Sequence, residues 1–258
     1  MNTIQIAVKD KLATVTLDRG RANAINIEMI AELRSAVKNA SADPSVEGLI
    51  VTGKEGFFSA GIDLIEAYSY NEAQSRNLWT EFLALQADLI AFRKPFVAAI
   101  SGHSPAGGCV MALCADHRVM ATGKFIIGLN EIPVGIIVPE LIFNLYAFWL
   151  GKRKAYRYIL EGRLLSVDEA LADGLVDEVC TPEELLTAAE KKIRGYMKHN
   201  AVTWGQSKLN MRNELIAQCN TDLSASLDMM LKQWWAPETR KGLQLMMENL
   251  KSPATKQP

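Results

Sequence analysis

Two short runs restrict the fold of this chain more than any other feature: residues 46–53 (VEGLIVTG) and 95–102 (PFVAAISG). Both are almost wholly apolar, so strands built from them are buried on both faces. Such strands need a covering layer on each side, and the sequence offers amphipathic helices between them. Asn26 stands where a helix cap belongs, and residues 27–40 (IEMIAELRSAVKNA) repeat apolar positions at helical spacing. Residues 75–92 form a second such stretch, stopped by Lys94-Pro95. Ahead of them, IQIAV and LATVTL alternate apolar and polar residues and read as a hairpin turning at KDK.

Further on, HRVMAT, KFIIG and LVDEVC read as short strands. ELIFNLYAFWLG, KRKAYRYILEG and SVDEALADG read as helices punctuated by glycine, and from Thr181 the chain reads as helical throughout. The pattern predicts an α/β layered core over residues 1–200 and a helical C-terminal module over 201–258. The Met- and Trp-rich tail, LDMMLKQWWAPETRKGLQLMMENL, suits either an intramolecular core or a subunit interface.

Composition excludes several function classes. Half of the 258 residues are hydrophobic (49%), enough for a sizeable core, and the formal net charge of −1 argues against a nucleic-acid surface. No apolar run approaches the roughly 18 residues of a membrane span. MNTIQIAVKD lacks the basic and apolar regions of a signal peptide. Cys109, Cys114, Cys180 and Cys219 have no metal-ligand spacing and read as free thiols. A cytoplasmic protein without a metal site is expected.

Three stretches carry candidate chemistry. In GFFSAGIDL (56–64), Ala60-Gly61 permits an unusual backbone path, and the amide of Ile62 falls near a helix start, without an intrahelical partner. In SGHSPAGGCV (101–110), Ser104 reads as an N-cap and Pro105 as a first helical residue, which leaves the Gly107 amide bare in the first turn. Two such amides aimed at one oxygen form an oxyanion hole; close strand–helix packing is the other reading of these small residues. In GLNEIPVGIIVPE (128–140), Glu131 lies among apolar residues, where burial raises a carboxyl pKa toward that of a general base; a buried Glu holding an amide or an Arg is the alternative.

Together the three stretches resemble the crotonase (enoyl-CoA hydratase/isomerase) superfamily. FFSAGIDL resembles its F-x-A-G-x-D loop, SGHSPAGGC its turn into the buried helix, and LNEIPVGI its downstream acidic segment. ANAIN at 22–26 is similar to the segment that lines the adenine pocket of coenzyme A. The resemblance runs from about residue 4 to about residue 200. It implies a ββα spiral core with a C-terminal helical trimerisation module, a homotrimer or hexamer, and an acyl-CoA thioester as substrate, with coenzyme A belonging to the substrate and no separate cofactor. It implies that the Ile62 and Gly107 amides bind the thioester oxygen. It also implies that Ala22, Ala24, Ser59, Ala60, Gly61 and Asp63 line the CoA path.

Hydratases of this family carry two glutamates. At the first position, one helical turn beyond the oxyanion glycine, this chain has Val110; at the second it has Glu131. Adding water needs two groups, whereas moving a double bond needs one carboxylate that takes a proton from C2 and returns it at C4. With GHSPAGGC and GLNE, the resemblance is therefore to the mitochondrial-type Δ3,Δ2-enoyl-CoA isomerases, with Glu131 as the base. Glu66 and Glu140 are the candidates for a second carboxylate, which would favour hydration. His103, beside the turn, has no acidic partner in sequence and reads as structural. Trp79, Phe82 and Leu83 are candidates for setting acyl-chain length.

Overall fold

The computed structural model describes the backbone of residues 1–251 and side chains through Glu248. The chain opens with an antiparallel hairpin, β1 (Ile4–Lys9) and β2 (Leu12–Leu17), with Lys9 paired to Leu12. Its two-residue loop, Asp10-Lys11, has both residues at positive φ (48° and 66°), the conformation that matches strand twist across so short a turn. α1 (Ile27–Ala42) follows, with Asn26 accepting from the Met29 amide as predicted. Next come β3 (Gly48–Thr52), β4 (Gly56–Phe57), α2 (Leu64–Tyr68), α3 (Glu72–Ile90), β5 (Phe96–Ile100), β6 (Gly102–Pro105), α4 (Gly107–Leu113), β7 (His117–Ala121) and β8 (Ile126–Gly128). A 3-10 turn, Ile132–Val134, precedes α5 (Glu140–Leu150), α6 (Lys152–Glu161), β9 (Leu164–Ser166), α7 (Val167–Asp173) and β10 (Glu178–Cys180). The rest is helical: α8 (Leu185–Met197), α9 (Ala201–Met211), α10 (Asn213–Cys219), α11 (Ser224–Trp234) and α12 (Pro237–Lys251).

The strands form two sheets. The larger has the order β1-β2-β3-β5-β7-β10, parallel from β2 onward, and the smaller has the order β4-β6-β8-β9. The chain therefore steps from one sheet to the other in each repeat, β3 to β4, β5 to β6 and β7 to β8, and a helix returns it. This is the α/β spiral of ββα units that the sequence led us to expect. As predicted from their composition, β3 and β5 are buried at every position. Ile50, Val97 and Val119 face Leu185, Ala189 and Ile193 of α8, and the alternate residues Leu49, Val51, Ala98 and Met120 face the main core. The step between sheets is tight: a Cβ at Gly102 would sit 2.1 Å from the Gly56 carbonyl carbon.

Three sequence expectations are corrected. Ser104 and Pro105 are not the cap and first residue of α4; they end strand β6, and Ala106 is the cap, at φ 47° and ψ −123°. The helix expected from residue 75 starts at Glu72, because Asn71 and Gln74 form a capping box. The helices of the tail do not form a separate body. Leu215, Leu227, Met230, Leu231, Trp234 and Leu243 belong to the same core cluster as β2, β3 and α3, so the boundary drawn at residue 200 does not divide the core. Trp234, 2% exposed, is thus part of this intramolecular core. Residues 252–258 of the expected module lie outside the described residues.

Candidate active site

The two glycine turns meet at the ends of adjacent strands. In the first, the Ile25 amide donates to Gly61 O (2.8 Å) and the Asp63 amide to Ile25 O (2.8 Å). This is a parallel bridge around Ile62, so the Ile62 N–H points to the other side and has no partner among the described residues. Gly61 is at φ +84°, and its amide donates to Ser59 Oγ (3.1 Å), which itself donates to Asn23 O (2.8 Å). Ser59 is therefore fully buried and braces the turn; neither it nor Gly61 forms part of the cavity wall, contrary to expectation.

In the second turn, the Ala106 amide donates to Gly128 O (2.8 Å) and α4 begins at Gly107, whose amide has no partner among the described residues. The turns mesh with no room to spare. A Cβ at Gly108 would lie 2.3 Å from Ser59 O, and one at Gly107 would lie 3.2–3.3 Å from Phe82, Gly61 and Ile25. Ala106 holds a backbone conformation that L residues rarely adopt, and this strain is stored next to the bare amide.

Both turns open on a cavity of about 400 Å³. Ala22, Ala24, Ala60, Ile62 and Asp63 lie in its wall with Gly107, and the opposing wall carries Asn130, Glu131, Val134 and Ile136. Trp79, Phe82 and Met246 add an apolar surface; Leu83 does not. Glu131 is delivered by the chain leaving β8 and opens the 3-10 turn, its carbonyl accepting from the Val134 and Ile136 amides. Its Oε2 is sealed from solvent without a hydrogen-bond partner among the described residues. Burial pushes the carboxyl up to about 7, against a weaker opposing pull from its own backbone amide.

The proposed second carboxylates lie elsewhere. Arg19 grips both Asp63 (Nη1 to Oδ2, 2.7 Å) and Glu66 (Nη2 to Oε2, 2.6 Å), and Glu66 also accepts from Asn26 and Tyr70. Glu66 is thereby turned out of the cavity wall, and Asp63, which lies in the wall, caps α2 and is charge-paired. Glu140 is exposed at the start of α5, beside a different groove with Asn144 and Lys152. Val110 is buried in the core, 1% exposed. His103 packs between Phe57 and Phe125 with Nδ1 accepting from the Ile126 amide, the structural role expected of it.

Sequence reasoning missed Arg19, which lies between β2 and α1. It also missed Asn130 and Met246 as cavity residues. Nothing local marks them; the site is assembled from segments more than 200 residues apart.

Comparison with known proteins bears on what this cavity does. The profile of the family described as "Enoyl-CoA hydratase/isomerase" matches residues 7–257. The chain is 32% identical over 246 residues to the mitochondrial enoyl-CoA delta isomerase 1 of Mus musculus, covering 93% of this chain and 84% of that one. It is 34% identical over 213 residues to a probable mitochondrial enoyl-CoA hydratase of Dictyostelium discoideum, covering 81% and 76%. Among solved structures, human mitochondrial delta3-delta2-enoyl-CoA isomerase superposes with a TM-score of 0.93 at 29% identity, covering 96% of this chain and 98% of that one.

Proposed function

This chain belongs to the enoyl-CoA hydratase/isomerase family, and from that premise we propose that it is a Δ3,Δ2-enoyl-CoA isomerase with Glu131 as its base. The substrate is an acyl-CoA thioester, and the chain needs no cofactor of its own. The thioester oxygen accepts from the Ile62 and Gly107 amides. The ionised Glu131 carboxylate removes a proton from C2; the electrons move into the dienolate, whose charge the two amides stabilise. The same carboxyl then returns the proton at C4, which leaves the double bond conjugated with the thioester.

The observation that carries this reading is the inventory of carboxylates in the cavity wall. Glu131 is half-buried, with Oε2 sealed from solvent and no counter-ion among the described residues, whereas Asp63 is paired with Arg19 and Glu66 faces away. Water addition needs a second acid–base group, and the position one helical turn beyond Gly107 holds Val110. A binding module would have no use for a carboxyl tuned toward neutrality in its cavity.

The experiment is spectrophotometric. Purified protein is given a trans-3-enoyl-CoA and, separately, a trans-2-enoyl-CoA, and the conjugated thioester absorbance is followed. A rise with the first and no loss with the second supports the isomerase. Loss with the second means hydration, the activity named for the Dictyostelium relative, and overturns the one-base reading. We further propose a homotrimer or a hexamer, which light scattering tests. The cytoplasm is our working compartment, although the mouse relative is named as mitochondrial; cell fractionation decides between them.

A further inference from the structure

The two ends of α4 are treated differently. At its start the Gly107 amide is left free. At its end the carbonyls of Leu113, of the cap Cys114 and of Ala115 just beyond it are all taken by side chains. Trp149 Nε1 donates to Leu113 O (2.8 Å), Arg212 Nη1 to Cys114 O (2.7 Å), Arg212 Nη2 to Ala115 O (3.0 Å), and Arg118 Nη1 also to Ala115 O (3.2 Å).

A buried charge network stands behind these bonds. Asp116 Oδ1 lies 3.0 Å from Arg212 Nη2, and its Oδ2 accepts from Lys208 Nζ and from the Phe96 amide, both at 2.8 Å. Asp177 lies 2.6 Å from Arg118, whose guanidinium stacks 3.7 Å over Trp149. Three buried cations, Arg118, Lys208 and Arg212, thus face two carboxylates. The excess positive charge sits against the negative end of α4, where helix carbonyls compensate it. Lys208 and Arg212 come from α9 and its C-cap, so the C-terminal part of the chain grips a helix laid down about a hundred residues earlier.

α4 is a rod of seven residues, about 10 Å long, and every residue of it is buried. The strained Ala106 precedes it, and such a conformation persists only where the surroundings enforce it. A rod held by directional bonds at its tail has a fixed tip, and the tip is the Gly107 amide. We infer that Arg212 is a positioning residue for the reaction: its two bonds to the end of α4, assisted by Trp149, hold the Gly107 amide where charge develops. This rests on the reading of Gly107 as an oxyanion donor.

The test compares Arg212→Met, Arg212→Lys and Trp149→Phe with the parent protein. For each, kcat and KM are measured with a trans-3-enoyl-CoA, and the fraction of a bound 3-ketoacyl-CoA held as its enolate is read from ultraviolet absorbance. Thermal melts establish that the protein is folded at the assay temperature. For Arg212→Met, kcat is expected to fall roughly ten- to a hundredfold, as when a remote change misplaces a catalytic group. KM should stay within about twofold, the enolate fraction should fall in parallel, and Arg212→Lys should lie between Met and the parent. Trp149→Phe removes the bond to Leu113 O while keeping an aromatic ring under Arg118, and should show the same signature more weakly; it carries the test if Arg212→Met does not fold. Unchanged kcat and enolate fraction in folded variants overturn the inference, as does a loss of kcat with the enolate fraction intact. If the parent protein itself holds no enolate, the assignment of Gly107 fails first, and the inference falls with it.

Discussion

A Cβ placed on Gly61 would lie 2.9 Å from the amide nitrogen of Gly107, so each glycine turn sets the position of the other's donor. Gly61 is also at φ +84°, where an L residue costs roughly 1–2 kcal/mol. Gly61→Ala should therefore lower the melting temperature and displace the Gly107 amide together. The expected loss in kcat is on the order of 10²-fold, the lower range for removal of one oxyanion donor. An alanine variant with full turnover would show that the two amides do not act on one oxygen.

The pH–rate profile follows from Glu131. As the base it must be ionised, and burial pushes its carboxyl up to about 7. Thus kcat/KM should rise with pH through about 7 and then level off. Glu131→Gln should lower kcat by roughly 10²–10⁴-fold, the usual range for a general base. A flat profile from pH 5 to 8 would assign the proton transfer to another group.

Stability should respond to the same carboxyl in the opposite direction. Its value rises from 4.5 in the open chain to about 7 in the fold, so between these values the folded protein binds more protons than the unfolded one. Stability contributed by the protonated form is complete below 4.5, falls as pH rises through this window, and is flat above 7. The loss is on the order of 3 kcal/mol. Glu131→Gln removes it, so this variant should melt above the parent at pH 8 and near it at pH 4. Equal melting temperatures at pH 8 would mean that the carboxylate is solvated when ionised.

Glu66 and Glu140 offer a contrasting pair. Glu66 is held by Arg19, Asn26 and Tyr70, and Glu140 is exposed outside the cavity wall. Glu140→Gln should leave isomerisation within about twofold, as surface substitutions usually do. Glu66→Gln should lower thermal stability through the lost ion pair while the rate per folded molecule is retained. A specific loss of turnover in either would restore it as a second acid–base group.

Trp79 lines the cavity and is backed edge-on by Trp234, at 6.3 Å between ring centroids. Trp79→Leu removes the larger part of that wall. The ratio of kcat/KM for a long acyl chain to that for a short one should rise by roughly tenfold, the lower range for one methylene in an apolar pocket. An unchanged ratio would place the acyl chain along another wall.

The sequence and the structure agree where one residue type has one physical use. Wholly apolar runs are buried strands, and β3 and β5 are both. Gly61 at positive φ and the close approach at Gly107 and Gly108 are what glycines in such turns permit. A glutamate among apolar residues with a raised pKa was equally readable. The failures have causes of the same kind. Ala106 takes a conformation that alanine disfavours, so nothing in its identity announced it, and the proline before it suggested a helix start instead. Ser59, Glu66 and Arg19 have roles fixed by partners 36 to 47 residues away, which no local pattern encodes. The Trp- and Met-rich tail is apolar whichever surface it covers, and only the fold shows that Trp234 meets Trp79.

Met246 of α12 completes a cavity whose other wall begins at Ala22. The two amide-bearing turns precede Met246 by well over a hundred residues of chain. The surface that shields them from water is thus supplied by a segment remote from both. A chain cut before α12 should present an open, wet and inactive groove.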